Sequence, residues 1–226
     1  MEPSVSNMAS ASLFISVDRG APGGRPSSAP DKEKYSQARA KVLQRDDFTC
    51  TYCGFRSQKW QEVHAKDKDI GNLSPSNLET CCPLCRQVLS LDFVAKHQSG
   101  VLAFIPELEQ GDVNLLFHAH VMLGSSDDSY LVEQSERLWG ALIQRHHLMF
   151  ELFGAEMSTP EGMAKSLHSI EHKLYDYRSR FLGGVRVVPL PESPIFSQQI
   201  DYWMSKVYRQ YPEGSWGKIA EQFLVK

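Results

Sequence analysis

The chain has 226 residues with 42% hydrophobic and 23% charged side chains, the make-up of a globular protein able to bury a core. A net charge of -3 and a pI near 6.2 provide no global field for phosphates, so avid nucleic-acid binding is not expected. No apolar run approaches the ~18 residues of a membrane helix, and no basic residue precedes LFISV as in a secretory leader. The expected location is cytoplasmic, without direct membrane insertion.

Residues 1–33, rich in Ser, Pro, Gly and Ala, read as a largely flexible N-terminal arm able to dock one strand, SLFISV at 12–17. EKYSQARAKVLQRD (33–46) is helical in pattern, with Tyr35, Ala38, Val42 and Leu43 on one face. The stretch from Cys50 to Cys85 holds few large apolar residues, after which Val88, Leu91 and Val94 resume helical spacing. LAFIPEL (102–108) reads as an edge strand ending at Pro106, which lacks a ladder amide.

Helices are then expected over 109–123 and, as one long element, over 128–153, with Leu131, Leu138, Leu142, Met149 and Phe153 as the apolar stripe. Ser158-Thr159-Pro160-Glu161 is a helix start, and the pattern runs to about Tyr177 before Gly183-Gly184. VRVVPLPESP is an extended connector. Ser193-Pro194 opens a helix to about Tyr208, and SWGKIAEQFLV forms a final amphipathic piece.

Five cysteines include two C-x2-C pairs, CTYC at 50–53 and CPLC at 82–85. In a cytosolic chain such paired spacings point to a metal rather than to disulfides. Two knuckles offer Cys50, Cys53, Cys82 and Cys85 as a tetrahedral thiolate set, and four thiolates without an open position suit one structural Zn2+, with an iron–sulfur cluster as the competitor. Cys81 lacks the knuckle spacing and is assigned to packing. Gly54, after the second cysteine, suits the positive φ of such turns.

RDDFTCTYCGF, EVHAKD and NLETCCPLCRQ resemble the HNH endonuclease arrangement, a zinc-bound ββα unit. In that register Ala65 stands at the general-base position and Arg86 replaces the last His, so an active metal-dependent HNH endonuclease acting on DNA is the alternative and not the main reading. Alanine accepts no proton, and arginine repels a catalytic cation. His64 and Asn77 are then expected to be hydrogen-bonding scaffold residues, and no catalytic residue is assigned.

RDDFTCTYCGF, NLETCCPLCRQ and FIPELEQGDVN also resemble the IcmJ/DotN family of type IVB (Dot/Icm) secretion systems, most strongly over 33–123. That resemblance implies an α+β fold: an HNH-like four-cysteine zinc module over 34–123, joined to a mainly helical C-terminal region, 124–226, packed on it. It further implies a noncatalytic zinc-binding subunit of the coupling complex. Such a subunit sits at the cytoplasmic face of the bacterial inner membrane, held there by its partners. The implied partners are the C-terminal tail of the DotL-type coupling ATPase, with DotM and IcmS/IcmW-type adaptors beside it, and the implied role is effector recruitment for export. Two surfaces suggest themselves for the tail: the LAFIPEL strand edge, which is favoured, and the aromatic-rich helices after Tyr175.

Other signals carry less. His168-Ser169-Ile170-Glu171-His172 matches the inverted zincin pattern but lacks a further acidic ligand in a suitable setting, and reads as a helix face. His118, His120, His146 and His147 are spaced for surface or packing roles. No phosphate-cradling G-x-x-x-x-G-K-[ST] loop or G-x-S-x-G elbow occurs.

Overall fold

The computed structural model describes residues 12–19 and 31–210. The final amphipathic piece, with Trp216, and Tyr211 before it lie outside the described residues. The chain is mixed α+β, mostly helical, with two two-stranded antiparallel sheets and a buried cluster of four cysteines.

Helix α1 (Lys32–Arg45) starts on Asp31, whose carboxylate accepts from the Lys34 amide, and carries Arg45 in its last turn, where a cation meets the negative helix end. It leads into the hairpin β1 (Glu62–Ala65) and β2 (Leu78–Cys81), with His64 opposite Glu79. Val42, Leu43, Val63, Ala65 and Leu78 form a small core between helix and hairpin. Arg45 fastens the two by donating to the Pro75 and Leu78 carbonyls, while Asp46 accepts from the Thr80 amide.

Helices α2 (Pro83–Val88) and α3 (Leu91–His97) complete a ββα arrangement, and β3 (Gly100–Phe104) follows. Strand β3 pairs with β4 (Val185–Pro189), bringing the two halves of the chain together in one sheet. Between them lie α4 (Gln110–Leu123), α5 (Ser129–Gln144), α6 (His146–Met157), α7 (Pro160–Ser169), α8 (His172–Asp176) and α9 (Arg178–Phe181). After β4, a 3-10 turn at Pro194–Phe196, α10 (Ser197–Tyr202), a π turn at Trp203–Val207 and a 3-10 turn at Tyr208–Gln210 replace the single expected helix. One large core unites the cysteines with Leu102, Phe117, Met149, Leu167, Phe196 and Trp203.

Two further expected helices are also broken. The long helix breaks at Arg145, where His146 turns its Nδ1 to the Leu102 carbonyl at 3.0 Å, and Trp139 is buried in place of Leu138, which is 51% exposed. The helix from Pro160 stops at Ser169 because Ile170 turns extended and gives its carbonyl to Arg19 at 2.9 Å. The start at Thr159-Pro160 is as read from sequence, the Thr159 hydroxyl accepting from the Gly162 amide. Among the described residues no helix is long and apolar enough to cross a membrane.

Candidate metal centre

The first knuckle is a tight reversal closed by a bridge between Thr49 and Arg56, with the Cys50 amide donating to the Phe55 carbonyl at 2.9 Å. Gly54 sits inside it at φ 76°, the left-handed conformation that a side chain disfavours. The Thr51 amide donates to the Thr80 carbonyl at 2.9 Å, which sets this knuckle against β2. The end of β2 delivers Cys82 to the N-cap of α2, with Pro83 in the first turn and Cys85 one turn on. The sequence thus folds both knuckles locally, and β2 holds them together.

The Sγ atoms of Cys50, Cys53, Cys82 and Cys85 all lie within 4.8 Å of one another and are buried. The Cys53 and Cys82 sulfurs stand 3.6 Å apart. A tetrahedral ion with metal–sulfur bonds of ~2.3 Å needs sulfur–sulfur edges of about 3.8 Å, so the cluster fits such an ion with little adjustment. The set is also far from bonded disulfide distance. Cys81 is fully buried and points its Sγ to the Cys82 carbonyl at 3.5 Å, outside the four-sulfur group.

Burial alone raises a thiol's pKa, and it pushes Cys82 and Cys85 up. Cys50 runs the other way: burial is outweighed by hydrogen bonds from Cys53, Cys81, Cys82 and Cys85, which take it well below the usual thiol range. Ionisation of all four, as a metal-bound set requires, would place several negative charges at these separations in a buried site, which only a bound cation can balance.

Two N–H groups point at the sulfurs. The Cys85 amide donates to Cys82 Sγ at 3.4 Å, and Asn114 Nδ2 on α4 donates to Cys85 Sγ at 3.1 Å. Asn114 is fully buried and held in turn by Gln110, whose Nε2 donates to Asn114 Oδ1 at 3.1 Å. Gln110 also forms a two-point amide contact with β4, donating to the Val187 carbonyl at 2.8 Å and accepting from the Val187 amide at 2.9 Å. A hydrogen-bonded path therefore joins the sheet to the metal centre, and α4 comes close enough for a Cβ at Gly111 to stand 3.1 Å from the Tyr52 carbonyl. Sequence reasoning placed 110–114 on a helix without assigning Gln110 or Asn114; the available signal was an i, i+4 polar pair on an apolar helix.

On the outer side of the hairpin lies a cavity of about 550 Å3 lined by His64, Tyr52, Glu79 and Arg86. Tyr52 donates a short hydrogen bond to Glu79, and Arg86 stands 3.7 Å from Glu62. Burial, followed by the charges of Arg86 and Lys68, holds the His64 imidazole neutral with a pKa of about 4. Ala65, on the opposite face of β1, is 4% exposed within the small core. Asn77 is scaffold, donating to Asp67 and the Asn72 carbonyl and accepting from the Asp67 amide.

His118, His120, His147 and His168 have structural partners. His118 is buried against Phe55 at 3.6 Å between ring centres and meets the Tyr208 hydroxyl at 2.7 Å; burial lowers its pKa to about 3. His120 stacks on Trp139, and His147 faces the Gln144 carbonyl. His168 and His172 are divided by the extended Ile170, so they share no helix, and His168 meets Asp92 at 2.9 Å.

The fold and site define a mixed α+β protein, mostly helical, built around a buried four-cysteine cluster able to hold a metal. No family model matches the chain. The chain is 26% identical over 180 residues to the type 4 apparatus protein DotN of Legionella pneumophila subsp. pneumophila strain Philadelphia 1, an alignment spanning 79% of this chain and 83% of that protein. The two are homologous, in agreement with the IcmJ/DotN resemblance read from the knuckles.

Proposed function

We propose that this chain is a noncatalytic zinc-binding subunit of a type IVB secretion coupling complex, that it binds the C-terminal tail of a DotL-type coupling ATPase beside DotM and IcmS/IcmW-type adaptors, and that it helps recruit effectors. The observation that carries the reading is the homology to DotN over four-fifths of the chain together with the buried four-cysteine cluster. Zinc is the ion best matched to four thiolates that leave no position for water or substrate, and N–H···S donors from Cys85 and Asn114 suit a permanently charged sulfur set. Such a centre holds structure and supplies no Lewis acid to a substrate.

The noncatalytic assignment is supported at the hairpin. Ala65 is in the core with no group to accept a proton, His64 is flanked by Arg86 and Lys68, and Glu79 is engaged by Tyr52. A catalytic Mg2+ there would meet the charges of Arg86 and Lys68, with Glu62 paired to Arg86 and Glu79 taken by Tyr52.

The tail is expected on the helical surface and not at the strand. Both outer edges of the β3–β4 sheet are closed by side chains, His146 on the Leu102 carbonyl and Gln110 on Val187, so strand addition has no free ladder to extend at these positions. Leu174 on α8, Tyr177 at the junction and Phe181 on α9 are 56%, 53% and 46% exposed and form the favoured contact. The test is co-purification with a DotL-type tail, comparing the natural chain with Leu174→Asp/Phe181→Asp. Retention of the tail by the first and its loss from the second is expected. Cleavage of DNA dependent on Mg2+, Mn2+ or Ni2+ and abolished by His64→Ala would overturn the assignment.

A further inference from the structure

Residues 12–19 run extended between the α2–α3 junction and α8–α9 without joining a named strand. Leu13, Ile15 and Val17 are buried at 8%, 3% and 1% exposure; Phe14 is 43% exposed, whereas Ser16, at 2%, is enclosed beside Arg178. The segment thus lies as an extended peptide in a groove, its three aliphatic side chains on one side and its Ser16 main chain and hydroxyl held on the other.

The groove reads the backbone more than the side chains. The Ser16 amide donates to the Val88 carbonyl at 2.9 Å, and the Leu91 amide donates to the Ser16 carbonyl at 2.8 Å. The Tyr175 hydroxyl accepts from the Val17 amide at 3.0 Å and donates to the Val17 carbonyl at 3.1 Å, imitating a neighbouring strand with one side-chain group. Arg178 donates to the Ile15 carbonyl at 2.9 Å and to Ser16 Oγ at 2.8 Å. At the exit, Arg19 reaches the Ile170 carbonyl and lies 4.8 Å from the Tyr175 ring centre.

These hydrogen bonds tie the main chain of the segment to residues 88–91 and 175–178, far away in sequence. The stretch joining it to α1, residues 20–30, consists only of Gly, Ala, Pro, Ser and Arg, so it brings no large apolar anchor of its own. Phe14, Ser16 and Val17 also wall the cavity that contains His64 and Arg86, so departure of the segment opens that cavity.

We propose that this groove is a peptide-binding site and that residues 12–19 are its resident intramolecular ligand, exchangeable for a partner's extended segment with aliphatic residues at alternate positions followed by arginine. The site uses Tyr175 and Arg178, whereas the ATPase tail is assigned to their exposed neighbours Leu174, Tyr177 and Phe181, and the proposal does not depend on that assignment. Backbone recognition tolerates variation in the visiting sequence, while three aliphatic pockets and the Tyr175 face set its pattern.

The test uses the full chain carrying Ile15→Asp and Val17→Asp, which expels the arm, and a fluorescent peptide of the natural 12–19 sequence read by anisotropy. Saturable binding to this variant, about tenfold weaker when Tyr175→Phe is added, and at least tenfold weaker binding to the natural chain support the proposal. No binding to a double variant that keeps its metal and helical circular dichroism overturns it. A second measurement covers misfolding of that variant: a protease site placed within 20–30 of the otherwise natural chain is cut, and the arm fragment is challenged with excess labelled peptide. Exchange with retention of metal supports the proposal; a fragment that never exchanges, loss of metal on cutting, or arm exchange between two copies seen as a dimer by light scattering overturns it.

Discussion

Substitution of Asn114 tests whether α4 tunes the metal centre or only packs against it. Asn114→Ala removes the 3.1 Å hydrogen bond to Cys85 Sγ and leaves the Gln110 amide short of one acceptor. A hydrogen bond to a charged group contributes about 1.5–3 kcal/mol, which converts to a factor of roughly 10–100 in metal affinity, the range also expected for an outer-shell partner of a metal ligand. Asn114→Asp should cost more than alanine, because a buried carboxylate beside thiolates adds repulsion where the amide supplied a donor. Competition for Zn2+ against a chelator of known affinity measures both variants, with thermal unfolding of the zinc-loaded and metal-free proteins run beside it. Equal zinc affinity in the natural chain and both variants, with only unfolding temperature changed, would refute the coupling and reduce Asn114 to a packing residue.

Three further outcomes are expected. Elemental analysis should give about one zinc per chain, chelation should abolish cooperative unfolding, and Cys82→Ser should lose the metal, whereas Cys81→Ser, whose sulfur rests on the Cys82 carbonyl outside the four-sulfur group, should cost about 1 kcal/mol and keep it. Gly111→Ala should destabilise by ~1–3 kcal/mol, since its Cβ would crowd the Tyr52 carbonyl, whereas Gly140→Ala on α5, with nothing within 4 Å, should stabilise by up to about 1 kcal/mol in urea unfolding. His64 is neutral in the fold down to a pKa of about 4, while an unfolded histidine protonates near 6.5; the unfolded chain therefore binds more protons between these values and stability falls as pH drops through that window. The His64→Gln variant should show a slope shallower by about 1.4 kcal/mol per pH unit near pH 5, measured with saturating zinc; an unchanged slope would count against a neutral buried His64.

The features legible in the sequence were those fixed by short-range chemistry. The two C-x2-C spacings identified the residues that converge, Gly54 carried its positive φ, and Thr159-Pro160 began a helix where a capping hydroxyl and a missing amide favour one. What escaped was set by distant partners. Nothing around Arg145 or Ile170 breaks a helix by propensity; the breaks occur because His146 and Arg19 reach carbonyls brought near by the fold. Pro106 correctly marked the end of LAFIPEL, since β3 stops at Phe104, yet the edge it implied is covered by His146, and the choice between Leu138 and Trp139 for the core depended on which side of α5 met Phe117. Asn114 looked like any helical asparagine until β2 and α2 placed a sulfur beside it.

The path from Val187 through Gln110 and Asn114 to Cys85 also bears on how the module and the helical region depend on each other. Strand β4 comes from the C-terminal half, yet it pairs with β3 and shares Gln110 with the metal centre, and Leu102 and Val187 lie in the same core as the four cysteines. Loss of the ion releases thiols that burial disfavours as anions and leaves the amide donors of Asn114 and Cys85 facing neutral sulfur. The penalty falls on α4 and, through Gln110, on the outer edge of β4 rather than on the knuckles alone. Metal binding and packing of the helical region are therefore expected to be one cooperative event, in which occupancy of the cluster sets the shape of surfaces on the other half of the chain.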